Sequence, residues 1–143
     1  MQKTRIRVEL RALNNSIRRY FEFSIHGKEI KNATGNHKWI IHYLVENEGK
    51  EIYQKDIETH FNIARSTVSK VLTLMEQKGL IQKLSVEQDA RLKQIILTDE
   101  ARKIQALMCE DAEKMEETLI KGFSEEELQT LLSYLQRMRE NLS

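Results

Sequence analysis

The spacing of the apolar residues changes just after Gly79, and this change constrains the fold more than any other feature of the chain. Before it, apolar residues recur at intervals of three and four, as along one face of an α-helix. After it, Leu84 and Val86 alternate with polar neighbours, as in a β-strand. A polar stretch at Glu87–Lys93 leads to a second apolar run, Ile95–Leu97, so a hairpin is predicted. Because the tip lacks Asn-Gly or Asp-Gly, we expect a longer loop there rather than a two-residue turn.

Two short helices are predicted immediately before the hairpin. The first covers Gln54–Phe61, and the second covers about Ala64–Lys78. About three residues, Asn62–Ala64, join them. This spacing is typical of a helix-turn-helix, in which the second helix enters the DNA major groove.

The N-terminal part of the chain is also predicted to be helical. An apolar stripe runs from Ile6 to Ser24, and no proline interrupts any helix of the chain. Since glycine accepts the left-handed conformation that stops a helix, we expect Gly27 to end the first one. The polar stretch Lys28–Asn36 then leads to a compact second helix around Trp39–Leu44. Ile52–Tyr53 fits a short strand.

Two long helices are predicted in the C-terminal third. Thr98 is the expected N-cap of the first, whose amphipathic stripe continues for about six turns to Phe123. Ser124 and Glu127 have the spacing of a capping box for the second, which continues to about Leu142.

The expected fold is mainly α with a small β-hairpin, a winged helix-turn-helix flanked by long N- and C-terminal dimerisation helices. We assign one domain to 1–143, with the winged lobe at about 37–98 and dimerisation helices at about 4–25 and 99–142. The long helices carry more apolar surface than a small central module can cover, so a second copy is expected to cover it. A twofold dimer would also place two reading helices about 34 Å apart on DNA. The alternative is a monomeric helical bundle.

Charge is unevenly distributed along the chain. Ala64–Lys93 holds six Lys/Arg and three Asp/Glu, whereas Asp99–Ser143 holds six Lys/Arg and eleven Asp/Glu. A basic middle and an acidic tail suggest that one face binds an anion such as DNA. Ordinary charged helix surfaces would give the same pattern, and both interpretations stay open.

The outer positions of the Ala64–Lys78 helix hold the residue types that contact DNA. Small hydroxyl side chains let the backbone approach DNA closely, and an arginine can bind guanine through two hydrogen bonds. Ser66 and Thr67 could equally cap the helix. Gln54 and Lys55 open the preceding helix, where phosphate binding and ordinary helix-start polarity are equally good explanations. The predicted contacts on the reading helix are Arg65, Ser66, Thr67, Ser69, Lys70 and Thr73.

The hairpin tip supplies the remaining predicted DNA contacts, Asp89, Arg91 and Lys93. Arg91 would enter the minor groove, and the Asp89 carboxylate could hold the guanidinium in place. By spacing alone, an Asp-x-Arg on a protein surface is common and carries no such meaning.

Several segments resemble the multiple-antibiotic-resistance regulator (MarR) family. Asp89–Ala101 resembles that family's wing signature, and Ile52–Ile57, Arg65–Lys70 and Leu74–Ile81 resemble its helix-turn-helix. The order and length of the helices match from end to end. The resemblance implies a winged helix-turn-helix homodimer that regulates transcription, as a repressor, from a palindromic operator in double-stranded DNA. It makes Arg65–Lys78 the recognition helix and Arg91 the wing arginine.

The resemblance also implies a small-molecule effector, since many members of the family bind small aromatic acids between the dimer helices and the DNA lobe. In this chain that region would include Tyr20, Phe23, Trp39 and Tyr43. Such residues are more often part of the ordinary core.

Other functions find little support in the sequence. The four histidines lack metal-ligand spacing, and no catalytic triad, carboxylate pair or phosphate loop is present, so no metal, cofactor or enzymatic activity is expected. Cys109 stands alone on a mostly apolar helix, where a buried inert thiol is expected.

No apolar run is long enough to span a membrane, so we expect a cytoplasmic protein of a bacterium or archaeon without a membrane partner. The alternative function is a protein-interaction adaptor that docks through its acidic C-terminal third.

Overall fold

The computed structural model describes residues 5–86 and 89–143, apart from the side chains of Ala90 and Arg91. It confirms the mainly α fold with a small β-hairpin. The elements are α1 (Ile6–Glu22), α2 (Gly27–Thr34), α3 (Lys38–Glu46), α4 (Gln54–Phe61), α5 (Arg65–Gln77), β1 (Ile81–Val86), β2 (Asp89–Leu97), α6 (Asp99–Leu119) and α7 (Glu125–Leu142).

The chain forms two compact units, Met1–Asp111 and Ala112–Ser143, whose boundary falls within α6. The first unit holds the buried apolar core, and the second consists of the end of α6 followed by α7. No helix in the described part of the chain is long and apolar enough to cross a membrane. Among the most deeply buried core side chains are Ile40, Ile41, Ile57, Val68, Leu72, Met75, Leu80 and Ile81.

The helix-turn-helix has the boundaries that the sequence predicts. α4 ends at Phe61, and Asn62 follows in the left-handed conformation with φ of 51°. Asparagine tolerates this conformation better than most residues because its short polar side chain bonds locally. The Ile63 N–H donates to the Glu58 carbonyl at 3.1 Å, which closes the last turn of α4 before α5 begins at Arg65.

The two strands pair antiparallel, and Ile81 lies opposite Leu97. The register shifts near the tip, where Ser85 pairs with Lys93 but Val86 pairs with Asp89. The predicted long loop at 87–93 is therefore wrong, because β2 begins at Asp89 and an irregularity in the pairing takes up the extra residues. Residues 87 and 88 lie outside the described part.

The predicted short strand at Ile52–Tyr53 is confirmed as a brief pairing with β2. The Ile95 N–H donates to the Ile52 carbonyl at 2.7 Å, and Tyr53 forms an isolated bridge with Gln94. This contact fixes the start of α4 to the sheet.

The predicted end of the first helix at Gly27 is wrong. α1 ends at Glu22, and Gly27 begins α2 within the stretch predicted to be a polar connection. Ile30 and Thr34 are the buried residues of α2, and the Thr34 hydroxyl donates to the Ile30 carbonyl at 2.7 Å. A Cβ at Gly27 would lie 2.4 Å from the Phe21 carbonyl oxygen, so the close approach of two backbone segments requires glycine there.

Both C-terminal caps form as predicted. The Ala101 N–H donates to the Thr98 hydroxyl at 3.2 Å at the start of α6, although that helix ends at Leu119 rather than at Phe123. Before α7, Ser124 and Glu127 exchange hydrogen bonds of 2.9 and 3.1 Å.

Candidate nucleic-acid interface

One side of α5 packs into the core, and the other side carries the predicted DNA contacts. Val68, Val71, Leu72 and Met75 are buried, with the spacing of one helix face. The outer face carries positive charge and hydroxyl groups within one short helix. All six predicted contacts are exposed: Arg65, Ser66, Thr67, Ser69, Lys70 and Thr73.

The start of α5 shows that its hydroxyl residues are not caps. Ala64 is the N-cap residue, in extended conformation, and no side chain caps the helix. The alternative that Ser66 or Thr67 acts as the cap is therefore wrong. Both hydroxyls face solvent at the helix N-terminus, where backbone N–H groups and the helix dipole favour an anion.

Gln54 links the two helices of the motif. Its side-chain amide donates to the Arg65 carbonyl at 3.4 Å, and the residue is partly buried. The neighbouring Lys55 is exposed, and the Asp56 carboxylate accepts from the Tyr53 N–H at 2.8 Å. Gln54 thus supports the first turn of the reading helix, while Lys55 is open to an anionic ligand.

A shallow groove of about 350 Å³ runs along the outer face of α5. Within it, the Thr73 hydroxyl donates to the Ser69 carbonyl at 2.9 Å and accepts a 3.4 Å hydrogen bond from the Lys83 ammonium. Lys83 lies on β1 and is not among the residues predicted from the sequence. The alternation of β1 is a signal that could have identified it, because alternation places Lys83 on the same strand face as the buried Ile81, where a charged side chain is unusual. The groove is lined by Ser69, Lys70, Thr73, Leu74 and Gln77.

The wing places its predicted residues on β2. Asp89 and Lys93 are exposed, and Lys93 pairs with Ser85 across the hairpin. The backbone of Arg91 belongs to the same strand, but its side chain lies outside the described part of the structure. The wing backbone and the reading helix therefore lie in the same compact unit. The contact between Asp89 and Arg91 stays a prediction.

The basic residues of this surface are not neutralised by acids within the described part of the chain. Close contacts between basic and acidic side chains in that part include His26 with Glu110, Arg102 with Glu48 and Lys103 with Glu100. Unpaired surface cations attract a polyanion and release its counterions on contact. None of these pairs involves Arg65, Lys70, Lys83 or Lys93.

Two of the four candidate effector residues come together. Trp39 and Tyr43 both pack against Phe61, with ring centroids 4.5 and 5.5 Å apart. Burial raises the pKa of the Tyr43 hydroxyl, and the negative charge of Asp56 raises it further. This packing is that of core residues.

The other two candidates lie at the end of α1. Tyr20 is partly buried in an edge-to-face contact with Phe21, at 6.0 Å between centroids. Phe23 is 83% exposed. None of the aromatic ring contacts in the described part of the chain joins Tyr20 or Phe23 to Trp39 or Tyr43.

Cys109 is exposed on α6, so the predicted buried thiol is wrong. α6 turns Ile104 and Met108 towards the core, and the next position along the helix therefore faces away from it. Within residues 5–86 and 89–143, no cluster of three or more His, Cys, Asp or Glu side chains could hold a metal ion.

Comparison with known proteins supports the same architecture. The family model described as the MarR family matches residues 32–92, from within α2 into β2. An HTH-type transcriptional regulator of Bacillus subtilis (strain 168), YybA, is 28% identical over 119 residues, which are 83% of this chain and 77% of that protein.

Solved structures of MepR from S. aureus are similar over nearly the whole chain. A point mutant of MepR has a TM-score of 0.79 and 26% identity, covering 98% of this chain and 100% of that one. The MepR–DNA complex has a TM-score of 0.75 and 26% identity, covering 99% of this chain and 100% of that one. Residues 32–92, which hold the helix-turn-helix and the start of the wing, match the MarR family of winged helix-turn-helix transcriptional regulators, and the rest of the chain is similar to the MepR fold.

Proposed function

We propose that the protein is a repressor that binds a palindromic operator in double-stranded DNA as a homodimer. The outer face of α5 carries this proposal, since it presents hydroxyl groups and cations that pair with no acid of the described residues, beside an antiparallel wing. The relative MepR has been solved in complex with DNA, which supports the same mode of binding here. In this arrangement α5 occupies the major groove and the wing reaches the neighbouring minor groove.

The proposed contacts divide by chemistry. Arg65, at the first turn of α5, is placed to bind a guanine edge through two hydrogen bonds. Lys55, Lys70 and Lys93 bind phosphates, which fix the position of the protein on the duplex. Arg91 enters the minor groove, with Asp89 as the partner that orients it. The hydroxyls of Ser66, Thr67 and Ser69 bind phosphate or base edges, and Gln54 holds the start of the helix. The Thr73 hydroxyl donates its hydrogen to the Ser69 carbonyl, so towards DNA it can only accept from a base amino group.

Dimerisation is proposed because apolar side chains remain exposed on the flanking helices. On α1, Ile6 and Leu13 are 46% and 47% exposed, and on α7 Leu131 and Leu132 are 47% and 58% exposed. Helix faces of this kind are covered by a partner in stable proteins, and a twofold axis suits a palindrome. We therefore propose a single functional domain in which the helices at about 4–25 and 99–142 dimerise and the lobe at about 37–98 reads DNA.

We further propose that a small aromatic acid regulates binding and that the protein acts in the cytoplasm of a bacterium or archaeon. Trp39 and Tyr43, which share Phe61 as a neighbour, are the effector contacts that the packing supports best. Tyr20 and Phe23 complete the proposed set only if ligand binding rearranges the end of α1.

Operator selection from random duplex DNA tests the function. The selected site should be palindromic, and fluorescence anisotropy at about 150 mM salt should show at least a thousandfold preference for it over random duplex. Arg65→Ala and Arg91→Ala should each cost about 1–3 kcal/mol on the operator. Arg139→Ala, which removes an equal charge from α7, is the control. Equal binding to operator and random duplex would contradict the proposal, and indifference to both substitutions would favour the adaptor.

A further inference from the structure

Lys83 reaches from the wing to the reading helix. Its ammonium donates to the Thr73 hydroxyl at 3.4 Å, and the residue is only partly exposed. Lys83 pairs with Ile95 on the face of the hairpin that is buried against the core, so its aliphatic part lies over apolar surface while its charge extends outward.

The ammonium of Lys83 has capacity for a further ligand. A lysine ammonium has three donor hydrogens, and the bond to Thr73 uses one of them. In the described part of the chain, no ion pair involves Lys83. Two donors and a full positive charge therefore remain beside the groove of α5.

A second lysine extends the same strand face. Ser85 lies two residues beyond Lys83 on that face and pairs with Lys93, which is exposed. Diagonal neighbours in an antiparallel pair lie roughly 7–8 Å apart. On α5, Lys70 lines the same groove as Thr73, the residue that Lys83 contacts, so lysines are present on both the reading helix and the wing.

We infer that Lys83 binds a DNA phosphate at the junction of the major and minor grooves and that Thr73 positions it. This inference rests on the proposed function, and it adds a contact between the helix and the wing. A phosphate held there fixes the rotation of the wing relative to α5. It therefore sets the position of the protein along the DNA duplex without contacting a base.

The salt dependence of DNA binding tests the phosphate contact. In a dimer, Lys83→Gln removes two contacts, so the slope of log affinity against log salt should become less steep by about two. Affinity at about 150 mM salt should fall about 30-fold, equally for operator and random duplex. Lys83→Arg should keep the slope. Lys121→Gln, an equal charge change in the acidic segment, should change neither quantity.

Thr73→Val separates a phosphate contact from a structural role. It removes the hydroxyl and keeps the shape, so affinity should fall up to about fivefold with the slope unchanged. If Lys83→Gln also leaves the slope unchanged, the inference is overturned and Lys83 only supports Thr73. Lys83→Met, which keeps an apolar stem, replaces the Gln variant if that variant unfolds. A wild-type protein without operator preference would refute the proposed function, while the slope on random duplex would still decide the role of Lys83.

Discussion

The Ser24 hydroxyl donates a 2.6 Å hydrogen bond to the Asp111 carboxylate, and it joins the turn after α1 to the middle of α6. Asp111 is only 1% exposed, and its carboxylate also accepts from the His26 N–H at 3.2 Å. A buried carboxylate is costly unless hydrogen bonds compensate its charge. The His26 ring nitrogen Nε2 lies 3.1 Å from Glu110 Oε2, close enough for an ion pair but without hydrogen-bond geometry.

We expect Ser24→Ala to destabilise the fold by about 1.5–3 kcal/mol, because it leaves a buried charge with one donor fewer. Urea unfolding followed by circular dichroism measures the change. Ser16→Ala is the matched control, since the exposed Ser16 hydroxyl donates only to the Ala12 carbonyl of its own helix. That control should stay within about 0.5 kcal/mol of the wild type. Equal effects of the two substitutions would show that the contact with Asp111 contributes nothing.

We expect Leu13→Glu to dissociate the proposed dimer. Leu13 belongs to the apolar stripe of α1 and is 47% exposed, so a second copy would bury a carboxylate there without a partner. Sedimentation equilibrium should show monomers, with weaker operator binding. Asn15→Glu introduces the same charge on the opposite side of α1 and should leave the dimer intact. A wild-type protein that is monomeric at micromolar concentration would contradict the proposed assembly.

The capping box of α7 should make stability depend on pH. The backbone N–H of Ser124, and then its hydroxyl, hold the pKa of Glu127 below its ordinary value of 4.5. Because the folded pKa is lowered, the contribution is present above the unfolded pKa and is lost as pH falls through the folded one. Glu127→Gln should therefore lower the melting temperature at about pH 7 and have little effect at about pH 3.

Thermal unfolding monitored at the helical signal checks this dependence. Glu126→Gln is the control, since it makes the same charge change in the same turn outside the capping box. A deficit of the Glu127 variant that persists unchanged at low pH would show that the charge of Glu127 is not what stabilises the start of α7.

Much of the DNA-binding lobe could be predicted from local sequence. The boundaries of α4 and α5, the left-handed Asn62 and the cap at Thr98 follow from interactions within a few residues, and so does the cap at Ser124 outside this lobe. Apolar periodicity also predicts the buried face of α5. The remaining positions of that helix are then the exposed residues of the candidate site. Local chemistry sufficed there because backbone conformation and capping depend on near neighbours.

The remaining features depend on contacts between segments distant in sequence. α2 has a weak apolar pattern, and Ile30 and Thr34 become helical core residues through packing against neighbouring helices. Gly27 was expected to stop a helix, but the approach of the Phe21 carbonyl decides its role. A pattern within one segment carries no information about which atoms of another segment will approach it.

The same distinction divides the candidate site. A basic, hydroxyl-rich helix face followed by a charged wing can be predicted directly from the order of residue types along the chain. The contact of Lys83 with Thr73, the burial of Asp111 against Ser24 and the exposure of Cys109 are visible in the folded structure alone. Each of these depends on the orientation of one element against another, which is set by how the whole apolar core packs.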